Sequence, residues 1–326
     1  MAKDTLREII KDFPKQLEYQ PSIENATAFE KYDKFVVVGM GGSNLAAGII
    51  KGWKPKLDVI IHRDYGLPDI EEGELKERLI VLSSYSGGTE ETISAFQEAF
   101  SRKLPLIVIA GGGELLNLAR DNDTPYIQLP AIKAHPRFAI GLSIKATLKA
   151  MGEELLLNDV GGIVESLDAE EYEEIGKNLA HSLENKIPLI YSSNRNRGLA
   201  YFWKINFNET VKIPAFFNVF PELNHNEMAG FDKLAAIGFK PSDFAFVFLN
   251  DPDDETRIQK RMTAMAKIFE ERGFALQEVN IIGPSLWHKS FAGILIAFWT
   301  SLYLAEYYNV DPEDISIIED FKKSLL

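Results

Sequence analysis

Cysteine is absent from all 326 residues. That absence removes disulfides, thiolate nucleophiles and cysteine-based zinc sites together. Positive charge is scarce: 35 Lys and Arg face 48 Asp and Glu, a net charge of −13, which argues against nucleic acid as a partner. An anionic ligand would have to be captured by local features, because the overall field opposes it. Long apolar runs are missing as well. None is expected to reach the ~20 residues of a membrane span, so no membrane partner is expected. The N-terminus, M-A-K-D-T-L-R-E-I-I, is charged and amphipathic and lacks a signal-peptide h-region, so a cytoplasmic protein is the expectation. What is present is an ordinary globular composition, 46% apolar and 25% charged, in a chain long enough for two domains with proper cores.

Apolar runs alternate with helical patterns through the first half. Phe35–Val38, Leu57–Ile61, Leu79–Leu82, Leu106–Ala110 and Tyr126–Leu129 read as strands, and Leu45–Lys51, Glu71–Glu77 and Glu90–Phe100 as helices. Strands alternating with helices imply right-handed crossovers and a parallel sheet covered on both faces. Residues 138–185 read as mostly helical, with Gly161-Gly162 as the strongest break, and Ile187–Tyr191 restarts the βα pattern. The restart repeats the first half. Leu189–Trp203 has the feature order of Val36–Trp53, F-V-F-L-N-D-P-D-D-E-T-R-I stands where V-L-S-S-Y-S-G-G-T-E-E-T-I stands, and Phe274–Val279 matches Leu106–Ile109. The expected division is residues 1–150, with a phosphate-binding loop, and residues 151–326, with a Glu/His region and a C-terminal helix. The fold class is α/β: two similar doubly wound parallel-sheet subdomains with flanking helices.

The most informative stretch is Leu79–Thr92. Its strand stops at Ser84-Tyr85-Ser86-Gly87-Gly88-Thr89, and a helix begins at Glu90. Three hydroxyls and free N–H groups at a helix N-terminus attract an anion; the same residues also make a plain Ser/Gly turn with a Thr cap. With no lysine in the loop it is not a nucleotide P-loop, and a small phosphorylated metabolite fits better. The equivalent loop of the second half, Asn250-Asp251-Pro252-Asp253-Asp254, would repel phosphate, so one half alone should bind it.

The turn Gly39-Met40-Gly41-Gly42-Ser43 carries a G-x-G pair, but Asn44 stands where a dinucleotide fingerprint needs glycine. Close approach of backbone to a sugar or phosphate fits it better. At such strand ends in open parallel sheets ligands sit, so this turn and the Ser84–Thr89 loop should face one crevice. Arg137, after Pro136, reads as a loop residue before a helix, open to a surface ion pair. Glu209 falls near a helix end, beside Asn206 and Asn208. There the negative dipole end raises a carboxylate's proton affinity, which suits a general base; a solvated terminal Glu is the other reading. In Phe220–Met228, His225 lies between two asparagines and is flanked by Glu222 and Glu227. It lacks further ligands for a metal, and reads as an acid/base group or as part of a capped turn. Ile315, Ile318, Phe321 and Leu325 form the stripe of a terminal helix, with Lys322 at the edge of its expected buried face; by pattern alone Lys322 and Lys323 read as ordinary C-terminal helix charges.

G-M-G-G-S followed by S-Y-S-G-x-T-E-E-T resembles the sugar isomerase (SIS) domain superfamily. With P-R-x-A (Pro136 to Ala139), W-K-x-x-x-N-E-x-x-K (Trp203 to Lys212), F-P-E-L-N-H-N-E (Phe220 to Glu227), S-x-Y-L-A (Ser301 to Ala305) and the terminal D-P…I-x-x-x-K, the whole chain resembles the bifunctional phosphoglucose/phosphomannose isomerase family. The resemblance implies that Ser43, Ser84, Ser86 and Thr89 hold a sugar phosphate, with Gly41 and Gly42 allowing close contact. It implies that Arg137 stabilises developing negative charge, Glu209 moves the proton, and His225 and Lys322 assist ring opening. The histidine comes from the partner subunit in that family, so a homodimer is implied. The implied reaction is the interconversion of glucose 6-phosphate, and mannose 6-phosphate, with fructose 6-phosphate through a cis-enediolate, with no metal or cofactor. An aminosugar-phosphate isomerase or deaminase, or a non-catalytic phosphosugar-binding protein, are the alternatives. Three departures stand out: Asn44 for the usual glycine, which would add bulk near the sugar, Gly88 for asparagine, and Glu313 for threonine, which bears on acceptance of the mannose epimer.

Overall fold

Apolar runs that end in small polar turns become parallel strands followed by helices. In the computed structural model, which describes residues 2–26 and 29–324, this happens twice. The chain folds as two units, one of residues 12–168 and 285–288, the other of 1–11, 169–284 and 289–326. The N-terminal helix α1 (Ala2–Lys11) belongs to the second. There Arg7 donates to Glu173 at 2.5 Å and to Glu306 at 2.9 Å, while Leu6 and Ile10 are buried.

The first unit carries β1 (Lys34–Val38), α2 (Leu45–Trp53), β2 (Asp58–His62), α3 (Glu72–Lys76), β3 (Leu79–Ser84), α4 (Glu90–Ser101), β4 (Leu106–Ala110), α5 (Gly113–Asp121), β5 (Tyr126–Gln128), α6 (Ile140–Ala150) and α7 (Glu154–Gly161). Its strands are all parallel, in the order β2-β1-β3-β4-β5. Val36 and Val38, Ile80 and Leu82, and Val108 and Ala110 point to one face and are buried against Ala95, Phe96 and Ala99 of α4 and Leu115, Leu116 and Ala119 of α5. Each fully buried Val, Leu, Ile or Phe side chain among them stabilises by about 1.5–3 kcal/mol relative to exposure. The register pairs Val38 with Leu82, so β1 and β3 present their carboxyl ends side by side.

The second unit adds α8 (Glu173–Ser182), β6 (Ile187–Ser193), α9 (Arg197–Asn206), β7 (Phe216–Phe220), β8 (Phe244–Asn250), α10 (Thr256–Glu271), β9 (Ala275–Asn280), α11 (Leu286–Tyr307, of which the part from Lys289 on belongs to this unit) and α12 (Ser316–Ser324). Its sheet, also all parallel, runs β7-β6-β8-β9. The repeat seen in the sequence is thus one of pairing: β6 lies between β7 and β8 as β1 lies between β2 and β3, and β9 follows β8 as β4 follows β3. Strand β7 was not expected, yet it stands where the repeat requires a counterpart of β2. An aromatic core fills one face, with Phe246 centred 4.5 Å from Phe269 and 5.4 Å from Tyr191.

Two expectations are corrected. Helix α11 is long and apolar enough, by length and composition, to cross a membrane, although no such run was anticipated. Ser, Thr and His residues break up its apolar run in the sequence, and 83% of its most apolar stretch is buried inside the protein, as befits a core helix. Conversely, the terminal helix does not bury its stripe. Among the described residues of α12 none is buried; Phe321 is 62% exposed and Ile318 41%. Leu325 lies outside the described residues. Periodicity tells which side chains share a face and says nothing of whether another element covers it.

Candidate active site

The loop after β3 is built on hydroxyls that bond to one another and to backbone. Ser84 is buried, its Oγ 2.8 Å from Thr89 Oγ1, and it accepts the Gly87 N–H at 3.1 Å. Ser86 is exposed and accepts the Gly88 N–H at 3.4 Å. Thr89 immediately precedes α4, where the first N–H groups of a helix have no intrahelical partner. The loop is braced from the next βα turn: Gly111 N–H donates to Tyr85 O at 2.9 Å and Leu115 N–H to Gly87 O at 2.8 Å. At Gly87, φ is +68° and an added Cβ would lie 1.7 Å from Gly112 O, so no side chain fits. Gly88 is different, with open space where a Cβ would be.

The Gly41–Ser43 turn joins this loop directly. Ser83 Oγ donates to Ser43 O at 2.9 Å, and Ser43 Oγ accepts the Tyr85 N–H at 3.1 Å. Gly41 faces open space at φ +50°. Gly42 serves a neighbour instead: a Cβ there would come within 3.3 Å of Arg137 Cα, so its bareness lets Arg137 approach. Arg137 is buried at 2% exposure in the short helical turn Pro136–Ala139, with its guanidinium carbon 4.9 Å from the Phe138 ring centre. The surface ion pair open to an isolated arginine does not hold, because packing against Gly42 takes Arg137 off the surface. Asn44 needs a correction too. It is fully buried and donates to Gly39 O at 2.7 Å, so its bulk goes into closing the turn from within.

Glu209, His225 and Lys322 belong to the second unit. Helix α9 runs into a π-type turn, Phe207–Val211, which carries the half-buried Glu209. Asn208 Nδ2 pins the exit of this turn by donating to Ile213 O at 2.8 Å. His225 closes a short helical turn, Glu222–His225, and is exposed. The polar residues around it have other duties. Glu227 accepts from Tyr191 at 2.5 Å and from Asn218, and Glu222 accepts from Asn226 at 2.8 Å. Burial, followed by the Glu227 carboxylate, holds the Tyr191 phenol well above its ordinary range. Lys322 is exposed on α12.

The structure therefore brings Gly41, Gly42, Ser43, Ser84, Ser86, Thr89 and Arg137 together within one unit. Among the described residues no group of three or more His, Asp or Glu side chains is arranged to hold a metal ion. Tyr85 escaped notice in the sequence although it sits inside S-Y-S. Its hydroxyl donates to Pro130 O at 2.8 Å and accepts the Ile132 N–H at 2.9 Å, fixing the segment that leads to Arg137.

Two parallel α/β sheets with flanking helices, one ending in a braced hydroxyl loop, define a protein of the sugar isomerase fold. Glucosamine-6-phosphate deaminase from Thermotoga maritima shares it, with a TM-score of 0.67 at 18% identity over 95% of this chain and 96% of that one. Sequence narrows the class. A model of the bacterial phospho-glucose isomerase C-terminal SIS domain matches residues 173–325. The bifunctional phosphoglucose/phosphomannose isomerase of Caldicellulosiruptor bescii is 32% identical over 314 residues, 91% of this chain and 90% of its own. Its namesake from Aquifex aeolicus is 29% identical over 326 residues, 97% of each chain. The chain belongs to the bifunctional phosphoglucose/phosphomannose isomerase family.

Proposed function

We propose that this protein is an aldose–ketose isomerase that interconverts glucose 6-phosphate and mannose 6-phosphate with fructose 6-phosphate. The observation that carries the reading is the braced loop Ser84–Thr89, an uncharged cradle of hydroxyls and N–H groups at the start of α4, in a chain of this family. Ser43, Ser84, Ser86 and Thr89 hold the phosphate, which contributes binding energy remote from the reacting carbons. His225 and Lys322 relay protons between the ring oxygen and O1 to open the ring. Glu209 then takes the C2 proton. The electrons of that C–H bond form the C1–C2 double bond, and O1 becomes an oxyanion that Arg137 stabilises. Transfer of the O2 proton to O1 and return of the proton from Glu209 to C1, with the double-bond electrons closing the C2 carbonyl, give the ketose. The enediolate is planar at C2, so both epimers reach one product. Hydrogen moves within one molecule without net redox change, so the reaction calls for no redox cofactor.

The reading includes a homodimer in which each protomer supplies His225 to its partner. The exposure of His225 in the single chain supports this. It also places the protein in the cytoplasm, in glycolytic and gluconeogenic sugar-phosphate turnover. A coupled assay on glucose, mannose and glucosamine 6-phosphates, run with EDTA, tests it. Fructose 6-phosphate should form from the first two, with no ammonia from the third. Ammonia release, or no turnover of either hexose phosphate, would overturn the proposal.

A further inference from the structure

Glu209 does not sit on an ordinary helix. The turn that carries it, Phe207–Val211, is widened to π-type, a geometry that is rare and concentrates at functional sites. It is shut by Lys212, which donates its N–H to Phe207 O and adopts a left-handed backbone, φ +64° and ψ 31°. Left-handed backbone is unfavourable for a residue with a Cβ, and helices that end this way usually place glycine or asparagine there. Lysine at this position is explained by its side chain. Nζ donates to the main-chain carbonyl of Glu209 and to that of Asp314.

The second acceptor matters as much as the first. Asp314 begins the turn into α12: its carboxylate accepts the Ser316 N–H at 2.8 Å, and Ser316 is the first residue of that helix. Helix α12 contributes no buried residue of its own, so contacts such as the Lys212 bond set where it starts. One ammonium thus joins two segments a hundred residues apart in sequence, the turn bearing Glu209 and the turn leading to Lys322. A cation among the last carbonyls of a helix is also well placed electrostatically, since those groups lack intrahelical donors and carry the negative dipole end.

We infer that Lys212 is a positioning residue of this enzyme, fixing the main chain from which the Glu209 side chain projects and tying it to the start of the helix that bears Lys322. It neither takes nor gives a proton. The inference rests on the proposed role of Glu209 as the base. Its effect is geometric: a shift of order 1 Å in a catalytic group can cost about 10²-fold in rate.

Lys212→Gly and Lys212→Met test it, measured beside Glu209→Gln in the full-length protein. Glycine accepts the left-handed backbone without strain, so Lys212→Gly removes the ammonium while leaving the turn at ease. Both Lys212 variants should lose about 10- to 100-fold in kcat, with KM for glucose 6-phosphate within about threefold of wild type, because the phosphate cradle is untouched. The thermal midpoint of Lys212→Gly should not fall. Wild-type kcat in both Lys212 variants, with Glu209→Gln inactive, would overturn the positioning role while leaving the base in place. So would a kcat loss in Lys212→Met that tracks a lowered midpoint and is missing in Lys212→Gly, since that pattern marks a purely structural lysine. Turnover retained in Glu209→Gln would remove the base and the positioning role together.

Discussion

The loop after β3 and the loop after β8 hold equivalent places in two sheets of the same pairing pattern, and they treat charge in opposite ways. The first is uncharged between Ser84 and Thr89, and its hydroxyls bond to each other and to nearby N–H groups. The second carries its own anion. The Asp251 carboxylate accepts from Lys289 at 2.9 Å, Arg195 at 2.8 Å, Asn196 at 3.2 Å and the Asp253 N–H at 3.0 Å, and both Asp251 and Lys289 are buried. Burial opposes ionisation of Asp251, but Lys289, the Asp253 N–H, Asn196 and Arg195 outweigh it and hold the carboxyl below its ordinary value. Repetition of a fold therefore did not repeat a site. In the loop after β8 the place proposed for phosphate in the loop after β3 is taken by a carboxylate of the chain itself. The acidity of Asn250–Asp254 is not the bare repulsion that its sequence suggests, because two cations, Lys289 and Arg195, neutralise the buried Asp251.

The sharpest division between the two regions lies in chemistry. Glu209→Gln should lose roughly 10²–10⁴-fold in kcat, the range general acid–base catalysis supplies, while phosphosugar binding survives. Steady-state kinetics with calorimetric binding checks both halves of that statement. Next in size is the filled loop. Lys289→Met leaves Asp251 buried with less compensation and should destabilise the second unit by about 3–5 kcal/mol, seen as a lower urea midpoint. Asp254, also buried, behaves oppositely to Asp251. Burial pushes its carboxyl up to about 6, with the neighbouring Asp251 charge adding to the rise. The folded state then binds more protons than the unfolded state between the two pKa values, so stability falls as pH rises from about 4 to about 6 and levels off beyond. Asp254→Asn removes that fall, and its advantage over wild type should grow by at most about 3 kcal/mol from pH 4 to pH 7 in urea titrations.

In the open loop, Ser84→Ala with Ser86→Ala should raise KM roughly tenfold to a hundredfold, as expected for losing hydrogen bonds to a charged group, with a smaller change in kcat. An unchanged KM would show that the cradle is not used. The smallest effect belongs to Gly88→Asn, which restores the residue the family usually carries. Space is open at that Cβ, so KM and kcat should stay within about twofold of wild type, as most surface changes do.

Most of this framework could be read from residues in a row. Continuous runs such as Val36-Val37-Val38 and Leu79-Ile80-Val81-Leu82 announce buried parallel strands, and the small polar residues Ser84–Thr89 announce the turn into α4, because both signals are local. Strand β7, Phe216-Phe217-Asn218-Val219-Phe220, carries four apolar residues of five, so its signal is in the sequence although no strand was expected there; pairing with β6 makes it a strand. What escaped the sequence is long-range partnership. Nothing near Asp251 in the chain points to Lys289, nothing near Glu209 points to Asp314, and the burial of Asn44 and Arg137 follows from what packs on them. The exposed face of α12 belongs to the same class, since its stripe is plain in the sequence and its lack of cover is not.

One loop should take the phosphate, while its counterpart is filled from within. Calorimetric titration of glucose 6-phosphate into Glu209→Gln, expected to bind with little turnover, separates the two loops. One site per chain is expected, weakened at least tenfold when Ser84→Ala and Ser86→Ala are added. Two sites per chain, or one site of unchanged affinity after both hydroxyls are removed, would contradict it.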